Sequence, residues 1–511
     1  MNTNYGRYKA LMQKIADVNY AAGVLAWDQE TYMPPRGADK RAQQLSTLAG
    51  MAHEMATSPE LGELLNQLAA DNTLSEKEKR NVKQSLKDYN DRKKYSTEFV
   101  ERTSRLVSEA FQAWQQAKKE NRFPLFAPKL EKLVELKREE CRLLGYEGGH
   151  PYDALLNQYE PGAKTKDIDV LFADVKAKLV DFVKEIAAAP QNNDSFMHLT
   201  YEKQKQWDFG IELLKQMGYD FEAGRQDIST HPFSTSFSSQ DVRVTTRVSE
   251  NNLNEMIWSC IHEGGHALYE QGLNIDDYGL PTGEAISLGI HESQSRLWEN
   301  NVGRSLPYWR CNFPLLKKYF PVPLSAVDTE DFYKAMNVVR PSLIRTGADE
   351  LTYHFHIMIR FEIEKALIEG SLQVKDLPDY WNRKYKEYLG IDVPDDTRGV
   401  LQDIHWSHGS FGYFPTYSLG SFYAAQFFAK ASAQIPGLAG HVENGNLAPL
   451  LKWLRENIHQ YGKFYSAEEL CIKVTGEKLN FGYFMDYARN KYSRLYNLPS
   501  GRQELKKETV S

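Results

Sequence analysis

The chain is 511 residues long, with 41% apolar and 25% charged residues, and its 62 Lys and Arg against 68 Asp and Glu give a formal net charge of −6. The apolar content is too high for a disordered chain, and the balanced charge excludes a typical nucleic-acid-binding protein. No run approaches the roughly 20 apolar residues that a transmembrane helix needs, so we expect neither a nucleic-acid nor a membrane partner.

The first residues and the cysteines indicate a cytoplasmic protein. The sequence MNTNYGRYKA lacks the apolar core that follows the basic start of a secretory signal. Four cysteines lie far apart without a CxxC pair: Cys141, Cys260, Cys311 and Cys471. This spacing argues against a disulfide framework and against a cysteine zinc site, and it fits a reducing compartment.

Most of the chain has the spacing of amphipathic helices. Apolar residues recur at intervals of three and four in the segments 40–56, 97–120, 166–189 and 351–370. In the first of these, Ala42, Leu45, Leu48 and Met51 predict a buried stripe. No Gly/Ser linker, charge block or fixed-period repeat divides these segments. We therefore predict a mainly α-helical protein with one domain over residues 1–511, although length alone would suggest about three domains.

One segment differs from this helical background. Residues 227–248 are rich in Ser, Thr and Val, and VRVTTRV within them alternates with a period near two. This pattern predicts a small antiparallel β ribbon. The ribbon directly precedes the helix that carries the main motif of the chain.

The predicted helix at 251–273 contains the sequence HEGGH at residues 262–266, an HExxH motif. Residues four apart lie on one face of a helix, so His262 and His266 can bind one zinc ion with Glu263 beside it as a general base. Two glycines inside a helix cost about 1 kcal/mol each relative to alanine. The motif therefore also indicates the close approach of another backbone or of a substrate.

A catalytic zinc site needs a third protein ligand and an open position. The longer spacing HExxHxxGxxH is absent, so the third ligand should come from another element. The segment 283–300 is predicted to be the next helix and supplies the candidates. Its spacing leaves Glu292 and Glu284 both open, whereas Glu299 is expected to lie on a solvated face.

Six short motifs follow one another along the chain. They are HPF (231–233), DxRxT (241–245), HExxH (262–266), HESQ (291–294), IRxxAD (344–349) and GxxQDxHW (399–406). Together with WDQETYMPP at residues 27–35, they make the sequence resemble the carboxypeptidase Taq family of zinc metallocarboxypeptidases. The resemblance runs through nearly the whole chain.

This resemblance implies that His262, His266 and Glu292 are the metal ligands and that Glu263 is the catalytic base. It implies one metallocarboxypeptidase catalytic domain over residues 1–511, with a two-lobed helical body around a deep substrate groove, and commonly a homodimer. The implied reaction releases amino acids one at a time, with broad specificity, from the carboxyl terminus of peptides. Zinc is the expected metal, although two histidines and a glutamate also suit cobalt or manganese.

Peptide hydrolysis needs a proton acceptor for the attacking water and a donor for the oxyanion. Zinc lowers the pKa of a bound water toward about 7, so Glu263 could take its proton and pass it to the leaving amine. His405 is the first candidate for the oxyanion donor, and a tyrosine from residues 412–423 is the second. His231 could also donate, since a His-Pro pair holds an extended backbone.

A carboxypeptidase also needs a cation that binds the terminal carboxylate of its substrate. Arginine suits this role because its planar guanidinium pairs with a carboxylate through two hydrogen bonds. Arg243, Arg345 and Arg398 are the candidates beside motifs. Asp349, four residues after Arg345, could orient that guanidinium. The predicted ribbon could bind an extended peptide by main-chain hydrogen bonds.

Two other functions remain open from the sequence. Helical zinc peptidases with a groove also include oligopeptidases that cleave internally, and the products formed from one peptide distinguish these two activities. The other alternative is a helical peptide-binding or scaffold protein in which the HExxH motif is no longer catalytic. The intact Glu263 and both histidines argue against it, because a lapsed site has no need of the base.

Overall fold

The computed structural model describes residues 3–498, and most of them are helical. The α-helices are α1 (Thr3–Thr31), α2 (Ala38–Ala56), α3 (Pro59–Ala69), α4 (Glu76–Lys93), α5 (Thr97–Glu120), α6 (Ala127–Leu144), α7 (Tyr152–Tyr159), α8 (Thr165–Ala187), α9 (Lys203–Met217), α10 (Leu253–Glu270), α11 (Leu288–Arg296), α12 (Leu306–Tyr319), α13 (Thr329–Ala335), α14 (Tyr353–Glu369), α15 (Leu377–Leu389), α16 (Pro415–Gln434), α17 (Leu438–Glu443), α18 (Ala448–Asn457), α19 (Ala467–Thr475) and α20 (Gly482–Leu495). The strands are β1 (Gly224–Ile228), β2 (Ser234–Ser238) and β3 (Asp241–Thr246). No helix within residues 3–498 combines the length and apolar character needed to cross a membrane.

The chain divides into two compact units, each built from three separate segments. The first unit contains the chain up to Lys93, Asn193–Met336 and Tyr423–Leu479. The second contains Lys94–Asn192, Asn337–Phe422 and the chain from Asn480 onward. The HExxH helix and the sheet belong to the first unit, and the IRxxAD and GxxQDxHW motifs belong to the second. A single catalytic domain over residues 1–511 stays a prediction.

Three of the predicted helices form close to their expected bounds. Helix α5 buries Leu106, Ala110 and Trp114, as its spacing predicts, although Val100 on the same helix is 42% exposed. Helix α8 likewise forms over most of the predicted segment 166–189. Helix α14 forms too, but its side chains are buried on nearly every face, so it is a core helix rather than an amphipathic one.

The buried stripe predicted for helix α2 is wrong. Met51 is 47% exposed, and Ala42 is also exposed. Helix α2 packs mainly along α1, and only Ala52 and Ala56 near its end are buried. Apolar spacing identified the helix, but a helix with one packing partner leaves part of its apolar face in water.

The β ribbon forms and has a third strand. β2 and β3 pair in antiparallel fashion, and β1 pairs with β3 in parallel fashion, so the sheet is mixed with the order β1-β3-β2. Val242 and Val244 on β3 are buried, and β3 packs on helix α10. The parallel pair could not be predicted from alternation, because period two is the same for both strand directions. The sheet thus supports the helix that carries the HExxH motif.

Candidate metal centre and active site

Helix α10 presents the two motif histidines side by side. The side chain of Asn252 accepts a hydrogen bond from the backbone of Asn254, which caps the start of the helix. The helix then places His262 and His266 one turn apart, with ring centroids separated by 4.9 Å. Glu263 between them is buried, with an exposed fraction of 8%. The geometry predicted for the motif is therefore present.

The two glycines of the motif allow close packing on both sides of the helix. A Cβ atom on Gly265 would lie 2.6 Å from Cα of Ser295 and 2.8 Å from the carbonyl oxygen of Gln294. A Cβ on Gly264 would lie 2.7 Å from a methyl of Leu214, which is the end of a flexible side chain. The close approach of another backbone, predicted from the two glycines, is that of helix α11.

We expect the substitution Gly265→Ala to destabilise the protein by about 1–3 kcal/mol or more, because backbone atoms of α11 cannot move aside cheaply. Gly264→Ala should have a smaller effect, since it meets side-chain atoms. Gly50→Ala in α2 is the control: apart from its chain neighbours and the nearby backbone of its own helix, no atom lies within 4 Å of an added Cβ, so this substitution should stabilise the protein by roughly 0.4–1 kcal/mol. Urea unfolding measures all three, and equal effects of the two motif glycines would contradict the packing argument.

The third candidate metal ligand of the site comes from helix α11. The side chain of Ser287 accepts from the backbone of Ile290 and starts this helix, so it begins later than the predicted residue 283. Oε2 of Glu292 lies 3.7 Å from Nε2 of His262 and 3.4 Å from Nε2 of His266. The three potential ligand atoms all lie within 4.8 Å of one another. Of the two glutamates that the spacing left open, Glu292 is the one at the histidines.

Glu284 precedes the helix and has another partner. Its carboxylate pairs with Lys463 at 2.5 Å. The residues between Gly283 and Ser287 are not helical, so Glu284 does not share the helical face that carries Glu292. The predicted continuous helix over 283–300 is therefore wrong at its start, and Glu284 lies outside the helix that carries Glu292.

The donor set fits a divalent transition metal. Two imidazole nitrogens and a carboxylate oxygen converge, which is a set that zinc prefers at catalytic sites. Arg296 donates to Oε1 of Glu292 at 2.6 Å, which leaves Oε2 directed at the histidines. Burial raises the pKa of Glu292, but Arg296 and His262 outweigh it and lower that pKa below its usual range. The carboxylate is therefore ionised and ready to act as a ligand.

Glu299 is a buried partner of His262, and its predicted place on a solvated face is wrong. It is 6% exposed, and its Oε2 lies 2.8 Å from Nδ1 of His262. The chain after α11 continues as a π-helix over Leu297–Gly303, which carries Glu299. Arg296 and Arg304 both pair with this carboxylate, at 3.2 and 3.0 Å. A carboxylate on the second nitrogen of a ligand histidine fixes the ring and its tautomer.

The motif residues differ in their proton affinity. Burial raises the pKa of Glu263 to about 7. Burial and, to a smaller extent, His291 together lower the pKa of His266 to about 3, so this imidazole is neutral, as a metal ligand must be. For His262, burial lowers the pKa, but Glu292 and Glu299 outweigh it and raise the pKa above its ordinary value.

Two predicted substrate-binding residues lie in the first unit. His231 is exposed in the turn between β1 and β2. Arg243 on β3 makes two hydrogen bonds to Asp241, at 2.8 and 2.9 Å. Its guanidinium lies 4.4 Å from the ring centroid of Trp27 and 5.0 Å from that of Phe237. Arg243 therefore joins α1 to the sheet, and its role toward substrates stays a prediction.

In the second unit, Arg345 pairs with Asp403 and not with Asp349, so the predicted orientation by Asp349 is wrong. Nε of Arg345 donates to Asp403 at 2.9 Å, and the other oxygen of Asp403 accepts from Arg360 at 2.6 Å. Asp349 instead accepts from the backbone of Thr352 and from its hydroxyl, at 2.9 and 2.6 Å, at the start of α14. A short acidic side chain before a helix favours such capping bonds over an ion pair four residues away.

His405 lies in the same unit as Arg345 and contacts a tyrosine. Its Nε2 is 3.3 Å from the hydroxyl of Tyr417, which belongs to the segment 412–423 that supplied the second candidate donor. Burial and, to a smaller extent, Arg345 together lower the pKa of His405 to about 3. A neutral His405 can donate one N–H, as an oxyanion donor requires. The guanidinium of Arg345 lies 5.0 Å from the ring centroid of Tyr417.

Arg398, the last predicted carboxylate-binding residue, forms an exposed pair with Asp395. Its side chain is 54% exposed and donates to Asp395 at 2.6 Å. Exposed pairs of this kind contribute little to stability, so its guanidinium can exchange partners easily.

Three carboxylates near these residues were not predicted as functional: Glu299, Glu270 and Asp403. Glu299 follows Glu292 by seven residues, which is two helical turns, and that spacing was the available signal. Asp403 stands inside the GxxQDxHW motif, but its two arginine partners are distant in sequence. No periodicity could have identified that pairing.

Comparisons with known proteins identify the family of the chain. The sequence matches the carboxypeptidase Taq (M32) metallopeptidase family over residues 7–492. It is 40% identical to carboxypeptidase 1 of Bacillus subtilis over 490 residues, which cover 96% of this chain and 98% of that protein. It is 40% identical to thermostable carboxypeptidase 1 of Thermus thermophilus over 505 residues, which cover 96% of this chain and 99% of that protein.

The fold agrees as well. The crystal structure of an M32 carboxypeptidase from Deinococcus radiodurans aligns with a TM-score of 0.95 and 38% identity, covering 97% of this chain and 100% of that chain. Sequence and structure thus match the same family over nearly the full length. The chain belongs to the carboxypeptidase Taq (M32) family and is a metallocarboxypeptidase.

Proposed function

We propose that this metallocarboxypeptidase uses zinc and releases amino acids one at a time, with broad specificity, from the carboxyl terminus of peptides. The observation that supports the proposal most strongly is the convergence of His262, His266 and Glu292 beside a buried Glu263. A divalent metal held by these three residues would polarise the scissile carbonyl and acidify a water molecule.

Glu263 is the proposed general base. The carboxylate takes a proton from the attacking water and later donates it to the nitrogen of the leaving amino acid. A base works best when its pKa lies near the working pH, and burial raises the pKa of Glu263 to about 7. The charges of His262 and Glu292 both affect the pKa of Glu263, which supports its place beside the proposed ligands.

Strand β2 is the proposed binding strand for the peptide backbone. The order β1-β3-β2 places β2 at an edge of the sheet. The hydroxyl of Ser236 on β2 donates to Glu270 at 2.8 Å, so this strand contacts the helix that carries both histidines. Main-chain pairing with an edge strand recognises an extended peptide without regard to most side chains, which would give broad specificity.

For the second unit, we propose that Arg345 binds the terminal carboxylate and that His405 donates to the oxyanion. Asp403 and Tyr353 hold Arg345 through its Nε and one terminal nitrogen, at 2.9 and 3.2 Å. A guanidinium fixed on one side can present its remaining N–H groups to a carboxylate. The homodimer and the cytoplasmic location expected from the sequence stay predictions.

Removal of the metal tests the proposal first. We expect dialysis against a chelator to abolish peptide hydrolysis, because without the metal nothing in the proposed site would acidify the attacking water. Adding back zinc, cobalt or manganese one at a time should restore activity, with one bound ion per chain measured by elemental analysis. Full activity of the metal-free protein would contradict the proposed mechanism.

The products from one peptide then distinguish the carboxypeptidase from an oligopeptidase that cleaves internally. We expect mass spectrometry to show successive loss of single residues from the carboxyl terminus. The same peptide with an amidated carboxyl terminus is the matched control and should be cleaved much more slowly. Internal fragments from both peptides would favour the oligopeptidase.

A further inference from the structure

Behind His266, three side chains of the first unit continue away from the ligand face in a hydrogen-bonded row. Nδ1 of His266 lies 2.5 Å from Nδ1 of His291. Nε2 of His291 lies 2.8 Å from Oε1 of Glu270, and the hydroxyl of Ser236 donates to Oε2 of Glu270 at 2.8 Å. The row therefore runs from His266 through His291 and Glu270 to strand β2.

Proton positions along this row follow from its chemistry. Two ring nitrogens in contact must share one proton, because two lone pairs or two N–H groups would repel. Nε2 of His266 faces Glu292 and needs its lone pair for a metal, so Nδ1 of the neutral ring carries the proton and donates to His291. His291 then carries its own proton on Nε2 and donates to the carboxylate of Glu270. Each donor in the row has one acceptor.

We propose that His291 and Glu270 are positioning residues that hold His266 in the tautomer whose Nε2 lone pair faces the metal, and thereby strengthen metal binding. This inference rests on the proposed metal site. The two ligand histidines are then oriented in different ways. His262 donates directly to the carboxylate of Glu299, whereas His266 reaches the carboxylate of Glu270 through a second imidazole.

A purely structural role for His291 is the competing explanation. Its ring packs against Tyr269, with centroids 5.5 Å apart, and against His266, with centroids 4.5 Å apart. His459 offers a matched control, because its imidazole is buried and packs against the same Tyr269 at 5.1 Å. Nε2 of His459 bonds to Gln294 at 3.0 Å and not to a ligand histidine.

The experiment measures zinc affinity by competition with a chromogenic chelator at fixed pH, without any assay of activity. We expect His291→Phe, which keeps a ring and deletes both nitrogens, to weaken zinc binding by about 10- to 100-fold. Glu270→Ala should also weaken binding, and Glu270→Gln should recover most of the loss, because its amide oxygen still accepts from His291. His459→Phe should bind zinc as the unaltered protein does.

Several results would overturn the inference. Equal zinc affinity in His291→Phe, Glu270→Ala and the unaltered protein would do so, and so would an equal loss in His459→Phe, which would assign the effect to packing around Tyr269. If His291→Phe does not fold, the pair Glu270→Ala and Glu270→Gln decides, since equal losses in both would exclude the hydrogen-bond role. Absence of zinc binding in the unaltered protein would instead contradict the proposed metal site.

Discussion

Replacing Glu263 with glutamine is expected to lower kcat by about 100- to 10,000-fold, the range that general-base catalysis contributes. The amide has the shape of the carboxylate but cannot accept a proton from water. Since His262, His266 and Glu292 remain in place, the variant should retain one metal ion per chain. Steady-state kinetics and elemental analysis on the same sample measure both quantities.

Glu350→Gln provides the control for this substitution. Glu350 is also a buried glutamate, 6% exposed, but it pairs with Lys491 and Tyr492 in the second unit. Its loss of charge should lower stability and leave kcat of the folded protein unchanged. Turnover near the original rate in Glu263→Gln, with metal bound, would show that another group is the base.

Replacing Arg345 with lysine is expected to lower kcat/KM for peptides with a free carboxylate by roughly 10- to 100-fold, the value of one or two hydrogen bonds to a charged group. An ammonium keeps the positive charge beside Asp403 but cannot form the two parallel bonds of a guanidinium. Amidated peptides should be affected much less. The measured quantity is the kcat/KM for the amidated peptide divided by the kcat/KM for the same peptide with a free carboxylate.

Arg360→Lys is the matched control, because Arg360 pairs with the same Asp403 and its side chain is 0% exposed. A fully buried guanidinium cannot meet a substrate, so this variant should change free and amidated peptides equally. If Arg345→Lys also changes both equally, Arg345 has a structural role only. The carboxylate would then be assigned to Arg243 or Arg398, which the same pair of substrates can test.

The organisation of the chain into two units could not be predicted from composition. Each unit is assembled from three segments, and the borders fall at Lys93, Asn192, Met336, Phe422 and Leu479 without any linker signal. Apolar periodicity reports whether a residue faces a core, but it does not report which core. The same limit explains why helix α2 was recognised as a helix while its burial was predicted wrongly.

The sequence by itself determined the helical class, the strand segment beside the motif, and the helical face that His262 and His266 share. These depend on spacing within one element, where residues four apart must share a face. Spacing left Glu284 and Glu292 open and the family resemblance implied Glu292, whose approach to the histidines the tertiary structure shows. Only the tertiary structure decided that Glu299 is buried and that Asp403 orients Arg345. Those contacts join residues separated by 26 to 58 positions, and their distances depend on how helices pack, which no local pattern encodes.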